Sequence, residues 1–250
     1  MPIDDYIGFA HRLADAAGDA IRPYFGAHGA VDKKGDNSPV THADRAAEAA
    51  MRALIEAEFP DHGIYGEEHG QTGLDKKYIW VLDPIDGTRA FIASKKEWGT
   101  LIALCEDGVP ILGILNQPIT GERWLGVRGR STLFNGQPAH TRACATLDQA
   151  TISTTYCAPP DDARYAILAA QCAESIHGGD CYAYGLLARG ERDIVCDTAL
   201  KPWDILALVP IIEGAGGVLV GWNGEPITLE NHASAFAIGD QRIMAELTNP

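Results

Sequence analysis

WVLDPIDGTRAF, residues 80–91, is the stretch of sequence that decides the fold. The apolar residues 78–82 predict a β-strand that ends at Asp83, and Pro84 cannot continue a ladder of backbone hydrogen bonds. We therefore expect Asp83 and Asp86 to lie on a strand-to-helix turn, with carboxylates that can converge. Paired carboxylates of this kind suit a hard divalent cation, which prefers oxygen ligands.

Gly87 and Thr88 begin the short helix that we predict after this turn. The free N–H groups and the positive dipole end of a helix start favour anions such as phosphate. The stretch therefore predicts a metal site and a phosphate site side by side. The alternative is an ordinary turn with a capping aspartate, because Asp-Pro and Asp-Gly are common in turns.

Composition limits the class of protein. The chain has 250 residues, of which 46% are hydrophobic and 22% charged, as expected of a soluble globular protein with one large core or two closely joined domains. No apolar run approaches the roughly 20 residues of a membrane span. The acidic, amphipathic N-terminus does not resemble a secretory signal, so we expect a cytoplasmic protein.

The net charge of −14 argues against nucleic acid or an anionic membrane as a partner, because both need a basic surface. It does not exclude an anionic substrate, since a bound metal can supply positive charge. The six cysteines show no zinc-like spacing, and in a cytosolic chain we expect them to be free thiols.

Periodicity and turn residues predict two lobes. The predicted helices cover residues 4–25, 41–59, 161–174, 180–189 and 202–213. Two predicted short strands end in 66–70 and at 178–179, and the others lie around Val31 and Val40 and over 78–83, 99–105, 109–116, 122–127, 150–154, 192–197 and 218–222. Strands alternate with helices after about residue 140, which indicates an α/β half. We therefore predict an N-terminal α+β lobe over 1–140 and a C-terminal α/β lobe over 141–250.

Three further acidic positions can reach the same site. Glu67 lies in a Gly-Glu-Glu turn after a predicted strand, Asp204 in the first turn of an apolar helix, and Asp44 at the start of the second helix. Each has an ordinary alternative, namely a solvated turn for Glu67 and helix capping for the two aspartates. Together with Asp83 and Asp86 they would supply ligands for two or three Mg²⁺ ions.

These motifs resemble the inositol monophosphatase family of magnesium-dependent, lithium-sensitive phosphatases. The resemblance is carried by WVLDPIDGT followed by Phe91, by Gly-Glu-Glu at 66–68, and by WDILALVPIIEGAGG at 203–217. It covers nearly the whole chain, and the two longer motifs are specific in their order. The resemblance implies a five-layered α/β/α/β/α sandwich, assembled as a homodimer, with lithium as an inhibitor.

The resemblance also implies a set of metal ligands. Glu67, which is also expected to serve in catalysis, and the backbone carbonyl of Ile85 would ligate the first metal. Asp83 would bridge the first and the second metal. Asp86 and Asp204 would complete the second metal. The N-terminal lobe would then carry most of the metal ligands, and the C-terminal lobe would carry Asp204 and the specificity residues.

The remaining catalytic roles follow from the same resemblance. Gly87 and Thr88 would offer backbone N–H groups to the phosphate, and Thr88, hydrogen-bonded to Asp44, would orient the attacking water. Lys33 stands where the family keeps a lysine near the site, although the neighbouring Lys34 is an equal candidate. The reaction would be metal-assisted hydrolysis of a phosphomonoester without a covalent enzyme intermediate.

Haloacid-dehalogenase phosphatases are a rival interpretation, because they also use an Asp-Gly-Thr turn. Their nucleophilic aspartate stands two residues before that turn, and this chain has Pro84 at that position. The rival therefore fails on the absence of a nucleophile.

The second half of the chain favours one substrate. GGDCYAYG at 178–185, with an acid shortly before the Lys-Pro-Trp-Asp motif, is similar to the histidinol-phosphate phosphatase branch of the family. Asp180 and Asp197 would pair with the ammonium and imidazole of histidinol through charge-assisted hydrogen bonds. The simpler alternative for Asp180 is that it caps the helix beginning there.

Other substrates and roles stay open at this point. An inositol-1-phosphatase or a broad sugar-phosphate phosphatase would use the same catalytic frame. Bisphosphate substrates would need a basic cluster for the second phosphate, and residues 178–204 hold only scattered basic residues. A non-catalytic scaffold relative would have lost metal ligands, whereas this chain keeps all of them.

Overall fold

The computed structural model describes residues 2–26, 31–33, 39–156 and 161–247. Within these ranges the chain forms eight α-helices and fifteen β-strands. The helices are α1 (Ile3–Ile21), α2 (His42–Glu58), α3 (Thr88–Ile92), α4 (Asp161–Ala169), α5 (Asp180–Ala188), α6 (Pro202–Ile205), α7 (Leu208–Gly214) and α8 (Arg242–Leu247). The strands are β1 (Val31–Lys33), β2 (Pro39–Thr41), β3 (Gly63–Gly66), β4 (Gly70–Thr72), β5 (Tyr78–Asp86), β6 (Gly99–Glu106), β7 (Val109–Gln117), β8 (Glu122–Val127), β9 (Leu133–Phe134), β10 (Gln137–Pro138), β11 (Thr151–Thr154), β12 (Glu174–His177), β13 (Ile194–Thr198), β14 (Val218–Val220) and β15 (Ser234–Ile238).

The larger sheet has eight strands in the order β10-β9-β8-β7-β6-β5-β3-β4. Its pairs are antiparallel except β3 with β5, which run parallel. Side chains of β5 alternate between two hydrophobic cores: Trp80 and Leu82 belong to the core with α1 and α2, while Ile79 and Val81 belong to the core with α5 to α7. Because helices cover both faces, the central strands are apolar throughout.

The smaller sheet has five strands in the order β12-β11-β13-β15-β14. β11 pairs in parallel with β12 and β13, whereas β15 runs antiparallel to β13 and β14. Val195 of β13 packs in the core with α5 to α7, and its neighbours Ile194 and Cys196 pack in the core that includes α4 and α8 side chains. The sheet is therefore also covered on both faces.

The layers follow from these three cores. One pair of helices (α1, α2) covers the outer face of the larger sheet, α5 to α7 lie between the two sheets, and α4 and α8 cover the smaller sheet. The protein is an α/β/α/β/α sandwich, which confirms the predicted fold class. The division into lobes near residue 140 stays a prediction.

Several predicted elements are confirmed. The strands of the meander, β6 to β8, lie within a residue or so of their predicted bounds, and α2 occupies the predicted second helix. The extended pair around Val31 and Val40 forms the β1–β2 ladder. Five cysteines are free thiols, and the sixth, Cys157, lies outside the described residues. In the described part of the chain, no helix combines the length and the apolarity that a bilayer crossing requires.

Other predicted bounds are wrong. β5 continues through Pro84 to Asp86, because an irregularity in its pairing with β6 accommodates the proline. The single helix predicted over 202–213 is two helices, since Pro210 has no N–H for the carbonyl of Leu206 one turn earlier. α1 gives way to a 3₁₀ turn at Arg22, and α4 ends at Ala169. The short strands β4, β9 and β10, and the C-terminal β15 and α8, were not predicted.

Candidate metal and phosphate site

Three predicted metal ligands meet at one point. Asp83 and Asp86 come from the end of β5, Asp204 comes from the first turn of α6, and one carboxylate oxygen of each lies within 4.8 Å of the others. Asp204 also accepts a hydrogen bond from the backbone N–H of Lys201 at 2.7 Å. The capping interpretation of Asp204 is therefore correct and compatible with its place in the acidic group.

The irregularity in β5 explains why both aspartates reach the same side. Asp83 pairs with Leu101 and Asp86 with Gly99, so three steps along β5 match two steps along β6. In a regular strand, residues three apart point to opposite faces, and an inserted residue changes that alternation. The hydroxyl of Thr100 donates to the carbonyl of Pro84 at 2.7 Å and supports the bulged segment.

Asp83 is buried among other carboxylates. It is 1% exposed, and among the described residues its Oδ1 has no hydrogen-bond partner. Burial raises the pKa of Asp83 well above its usual value, and the neighbouring carboxylates, led by that of Glu67, raise it further. A buried carboxylate without a compensating partner is costly, and a divalent cation would remove that cost. The residues present therefore fit a metal ion.

Asp86 and Asp204 show the same effect. Burial is the largest cause of the raised pKa of Asp86, followed by the charges of Asp180 and Asp204. Burial likewise raises the pKa of Asp204 to about 7, against an opposing hydrogen bond from Lys201. The backbone N–H of Cys181 donates to Oδ2 of Asp86 at 2.6 Å, which fixes one of its two oxygens.

Glu67 lies next to this group, as predicted. It directly follows β3, and its backbone N–H donates to the carbonyl of Leu82 in β5 at 3.2 Å. Parallel strands end at the same edge of a sheet, so the ends of β3 and β5 come together. The charge of Glu67 contributes to the raised pKa of both Asp83 and Asp204.

Gly87 and Thr88 occupy the predicted helix start. Gly87 has a left-handed conformation (φ 88°) that favours glycine, and it precedes the five-residue helix α3. The hydroxyl of Thr88 donates to the carbonyl of Ile85 at 3.1 Å. Asp44 is buried and raises the pKa of Asp83, so it lies beside the acidic group. A hydroxyl can donate only one hydrogen bond, and that of Thr88 donates to Ile85. The predicted hydrogen bond from Thr88 to Asp44 would require the hydroxyl to rotate away from Ile85, and it stays a prediction.

A cavity of about 210 Å³ opens beside the acidic group. Among its described lining residues are four aspartates and no lysine or arginine; the aspartates are Asp86, Asp180, Asp197 and Asp204. Asp180 has a left-handed conformation (φ 41°), and its backbone N–H donates to the hydroxyl oxygen of Thr155 at 2.8 Å. Burial and the charge of Asp197 raise the pKa of Asp180 to about 6, against the opposing charge of Arg89.

The carboxylate of Asp197 forms hydrogen bonds that stabilise the wall of the cavity. Its Oδ1 accepts hydrogen bonds from the backbone N–H groups of Thr155 and Tyr156 at 2.7 and 2.9 Å and from the Thr154 hydroxyl at 3.2 Å. Its Oδ2 accepts one from the Tyr184 hydroxyl at 2.9 Å. These bonds oppose the effect of burial, which raises the pKa of Asp197. Direct contact between Asp197 and a substrate stays a prediction.

Lys33 is the last residue of β1, and its side chain lies outside what the structure describes. Lys34 lies outside the described residues altogether. The choice between the two lysines therefore stays open.

Comparison with known proteins identifies the family. A sequence profile of the inositol monophosphatase family matches residues 3–249. The chain belongs to the inositol monophosphatase family. It is therefore a phosphatase of a family that acts on small phosphate esters, as the sequence motifs predicted.

Three relatives of this inositol monophosphatase family member are informative. Bifunctional phosphatase IMPL2, chloroplastic, from Arabidopsis thaliana is 45% identical over 240 residues, which are 94% of this chain and 69% of the relative. The histidinol-phosphatase of Chlorobaculum parvum is 37% identical over 91% of this chain and 90% of the relative. A solved structure of an inositol monophosphatase from Zymomonas mobilis is 47% identical, with a TM-score of 0.90, over 98% of this chain and 97% of that one.

Two residues that hydrogen-bond the backbone at or next to predicted site residues escaped prediction. Thr155 accepts the N–H of Asp180, and it follows a strand that did not itself suggest chemistry. Glu48 accepts the N–H groups of Glu68 and His69. The one signal for Glu48 was its spacing, since it stands one helical turn after Asp44, on the apolar face of α2.

Proposed function

We propose that the chain is a Mg²⁺-dependent histidinol-phosphatase, which hydrolyses L-histidinol phosphate to L-histidinol and phosphate in histidine biosynthesis. The observation that carries the proposal is the cavity beside the acidic group, which Asp180 and Asp197 line in addition to the proposed metal ligands Asp86 and Asp204, with no basic side chain among its described lining residues. A leaving group that carries an ammonium fits such a cavity better than a neutral polyol does.

The metal would be held by the residues at the end of β5 and their neighbours. The proposed ligands of two or three Mg²⁺ ions are Glu67, Asp83, the carbonyl of Ile85, Asp86 and Asp204. When bound, Mg²⁺ polarises the phosphoryl group, lowers the pKa of a water molecule and stabilises the departing alkoxide. The mutual repulsion of the carboxylates, which raises the pKa of Asp83 and Asp204, would be relieved by the same cations.

The chain's own residues would bind and orient the reactants. The N–H groups of Gly87 and Thr88 would hold phosphoryl oxygens; because α3 has only five residues, these local donors would matter more than its dipole. The Thr88 hydroxyl would turn from Ile85 to donate to Asp44, and its oxygen would accept a hydrogen bond from the attacking water, orienting that water in line with the leaving group.

Asp180 would select the leaving group. Its carboxylate lies in the same cavity as Asp86, and at pH 7 a group with a pKa of about 6 is mostly ionised. Pairing with the ammonium of histidinol would stabilise that charge further. Asp197 would contribute by fixing Thr155, which in turn holds the backbone of Asp180.

Inositol-1-monophosphatase is the second candidate, and a specific observation favours it. The Zymomonas mobilis protein described as an inositol monophosphatase shares 47% identity with this chain. A relative with 45% identity is called a bifunctional phosphatase. A broad-specificity sugar-phosphate phosphatase on the same catalytic frame belongs to this candidate. A non-catalytic scaffold is disfavoured, because the acidic group is intact.

The homodimer, the inhibition by lithium in competition with Mg²⁺, and the cytoplasmic location stay predictions from the sequence and its family resemblance.

Phosphate release by the purified protein with Mg²⁺ tests the proposal. The substrates are histidinol phosphate, inositol 1-phosphate, fructose 1,6-bisphosphate and an adenosine bisphosphate, with Asp204→Asn as the inactive control. We expect kcat/KM for histidinol phosphate to exceed the others by about 10-fold or more, as one charge-assisted hydrogen bond predicts. A preference for inositol 1-phosphate would overturn the assignment of substrate and leave the phosphatase intact.

A further inference from the structure

Glu48 is a fully buried carboxylate that the catalytic roles above do not use. It lies on α2, four residues after Asp44, and its side chain is 0% exposed. Buried carboxylates are rare unless they are paired and hydrogen-bonded. The partners of Glu48 therefore indicate what its burial accomplishes.

Those partners are the backbone groups that follow Glu67. Oε2 of Glu48 accepts the N–H of Glu68 at 2.7 Å, and Oε1 accepts the N–H of His69 at 3.1 Å. The N–H of Glu68 belongs to the same peptide group as the carbonyl of Glu67. Because the N–H of Glu67 is bonded to Leu82, the backbone is held on both sides of Glu67.

Arg52, one turn further along α2, adds to these contacts. We refer to the side chains of Glu48 and Arg52 together as the clamp. The Nε of Arg52 donates to Oε1 of Glu48 at 2.7 Å, and its guanidinium also donates to the carbonyl of Gly70. Gly66 makes room for this arrangement, since a Cβ there would overlap the carboxylate of Glu48. The glycine of the Gly-Glu-Glu motif is thus explained by the close approach of the Glu48 carboxylate.

The two acidic side chains of the turn interact with different groups. That of Glu68 is 3% exposed and lies 3.7 Å from the Arg45 guanidinium, while Glu67 contributes to the electrostatics of Asp83 and Asp204. The clamp therefore holds a turn whose Glu67 carboxylate acts electrostatically on the acidic group.

We propose that Glu48 is a positioning residue for the metal site, whose carboxylate fixes the peptide after Glu67 and thereby holds Glu67 beside Asp83. This inference rests on the proposed metal centre but not on the identity of the substrate. Residues that orient metal ligands typically change metal affinity by about 10–100-fold when they are replaced.

Calorimetric titration of the full chain with Mg²⁺, without substrate, tests the role of Glu48. In Glu48→Gln the amide nitrogen replaces one acceptor and faces an N–H group, so we expect Mg²⁺ to bind about 10–100-fold more weakly than to the wild type. The KM of the variant for its phosphate ester at saturating Mg²⁺ should stay within about twofold, because the clamp does not line the cavity.

Asp193→Asn is the matched control. Asp193 is 1% exposed, pairs with Arg142 at 2.5 Å and accepts the N–H of Thr151 at 2.7 Å, at the end of β13 opposite to Asp197. Its loss removes an equally buried carboxylate that has no contact with the metal site. We expect this variant to lose stability and to bind Mg²⁺ within about twofold of the wild type.

Arg52→Lys is the second variant, for use if Glu48→Gln does not fold. It keeps a positive charge opposite Glu48 and loses the guanidinium nitrogen that donates to the carbonyl of Gly70. We therefore expect a smaller weakening of Mg²⁺ binding than in Glu48→Gln. Wild-type Mg²⁺ affinity in the folded variants, or an equal loss in Asp193→Asn, would refute the positioning role alone. Absence of Mg²⁺ binding to the wild type would instead refute the metal centre and the proposed function with it.

Discussion

Replacing Asp180 by asparagine removes one negative charge from the cavity and keeps the shape of the side chain. The backbone N–H that donates to Thr155 at 2.8 Å is unchanged, so the left-handed conformation should persist. With a pKa of about 6, the wild-type carboxylate is mostly ionised at pH 7. The variant therefore tests the charge of Asp180 separately from its position.

The size of the expected effect follows from the lost ion pair. A hydrogen bond to a charged group contributes about 1.5–3 kcal/mol, which corresponds to about 10–150-fold in a rate ratio. We expect kcat/KM for histidinol phosphate to fall by that factor in Asp180→Asn. Hydrolysis of inositol 1-phosphate, a neutral polyol ester, should change by less than about threefold or improve, because a repulsive carboxylate leaves the site.

Phosphate release under identical Mg²⁺ concentrations measures both substrates. The informative quantity is the ratio of the two kcat/KM values, since any general loss of folded enzyme cancels. Equal losses on both substrates would refute the pairing of Asp180 with a cationic leaving group and would favour a purely structural role.

Three further predictions concern the same site. Asp204→Asn should lower kcat/KM by about 100-fold or more across all Mg²⁺ concentrations, and activity within a fewfold of the wild type would contradict its assignment as a ligand. Thr155→Val removes the acceptor for the N–H of Asp180, so the preference for histidinol phosphate over inositol 1-phosphate should fall about 2–10-fold. Thr155→Ser keeps the hydroxyl and should restore the preference. The same preference in both variants would contradict the role of Thr155 in positioning Asp180. Folded Asp204 holds its proton up to about pH 7, whereas the unfolded chain loses it near 3.8, so the metal-free protein loses stability as pH rises through this range. Mg²⁺ replaces that proton, so it should raise the melting temperature more at about pH 8 than at about pH 5.5, and an equal rise at both would contradict the raised pKa.

The sequence was sufficient to predict the strands of the meander and the acids of the candidate site. Strand-forming stretches separated by turn residues predicted β6 to β8, and the acids of 80–91 were expected to converge with Asp204, as the structure shows. The bulge that turns Asp83 and Asp86 to one side could not be predicted, because Pro84 indicates a strand end unless the partner strand is known.

The rest depended on tertiary contacts. Glu48 reads as a polar position on an amphipathic helix, and its role appears only when β3 brings the backbone of Glu68 to it. Thr155 likewise acquires its role from Asp180, which is distant in the chain. Local sequence does not encode such long-range hydrogen bonds, so sequence patterns identify the ligands of a site more readily than their supports.

Diffraction from crystals grown with Mn²⁺ in place of Mg²⁺ is the most direct test of the metal centre, because manganese gives an anomalous signal at its own position. We predict a peak within about 2.5 Å of a carboxylate oxygen from each of Asp83, Asp86 and Asp204. Manganese bound only to carboxylates on the outer surface, with none among these three, would contradict the central claim.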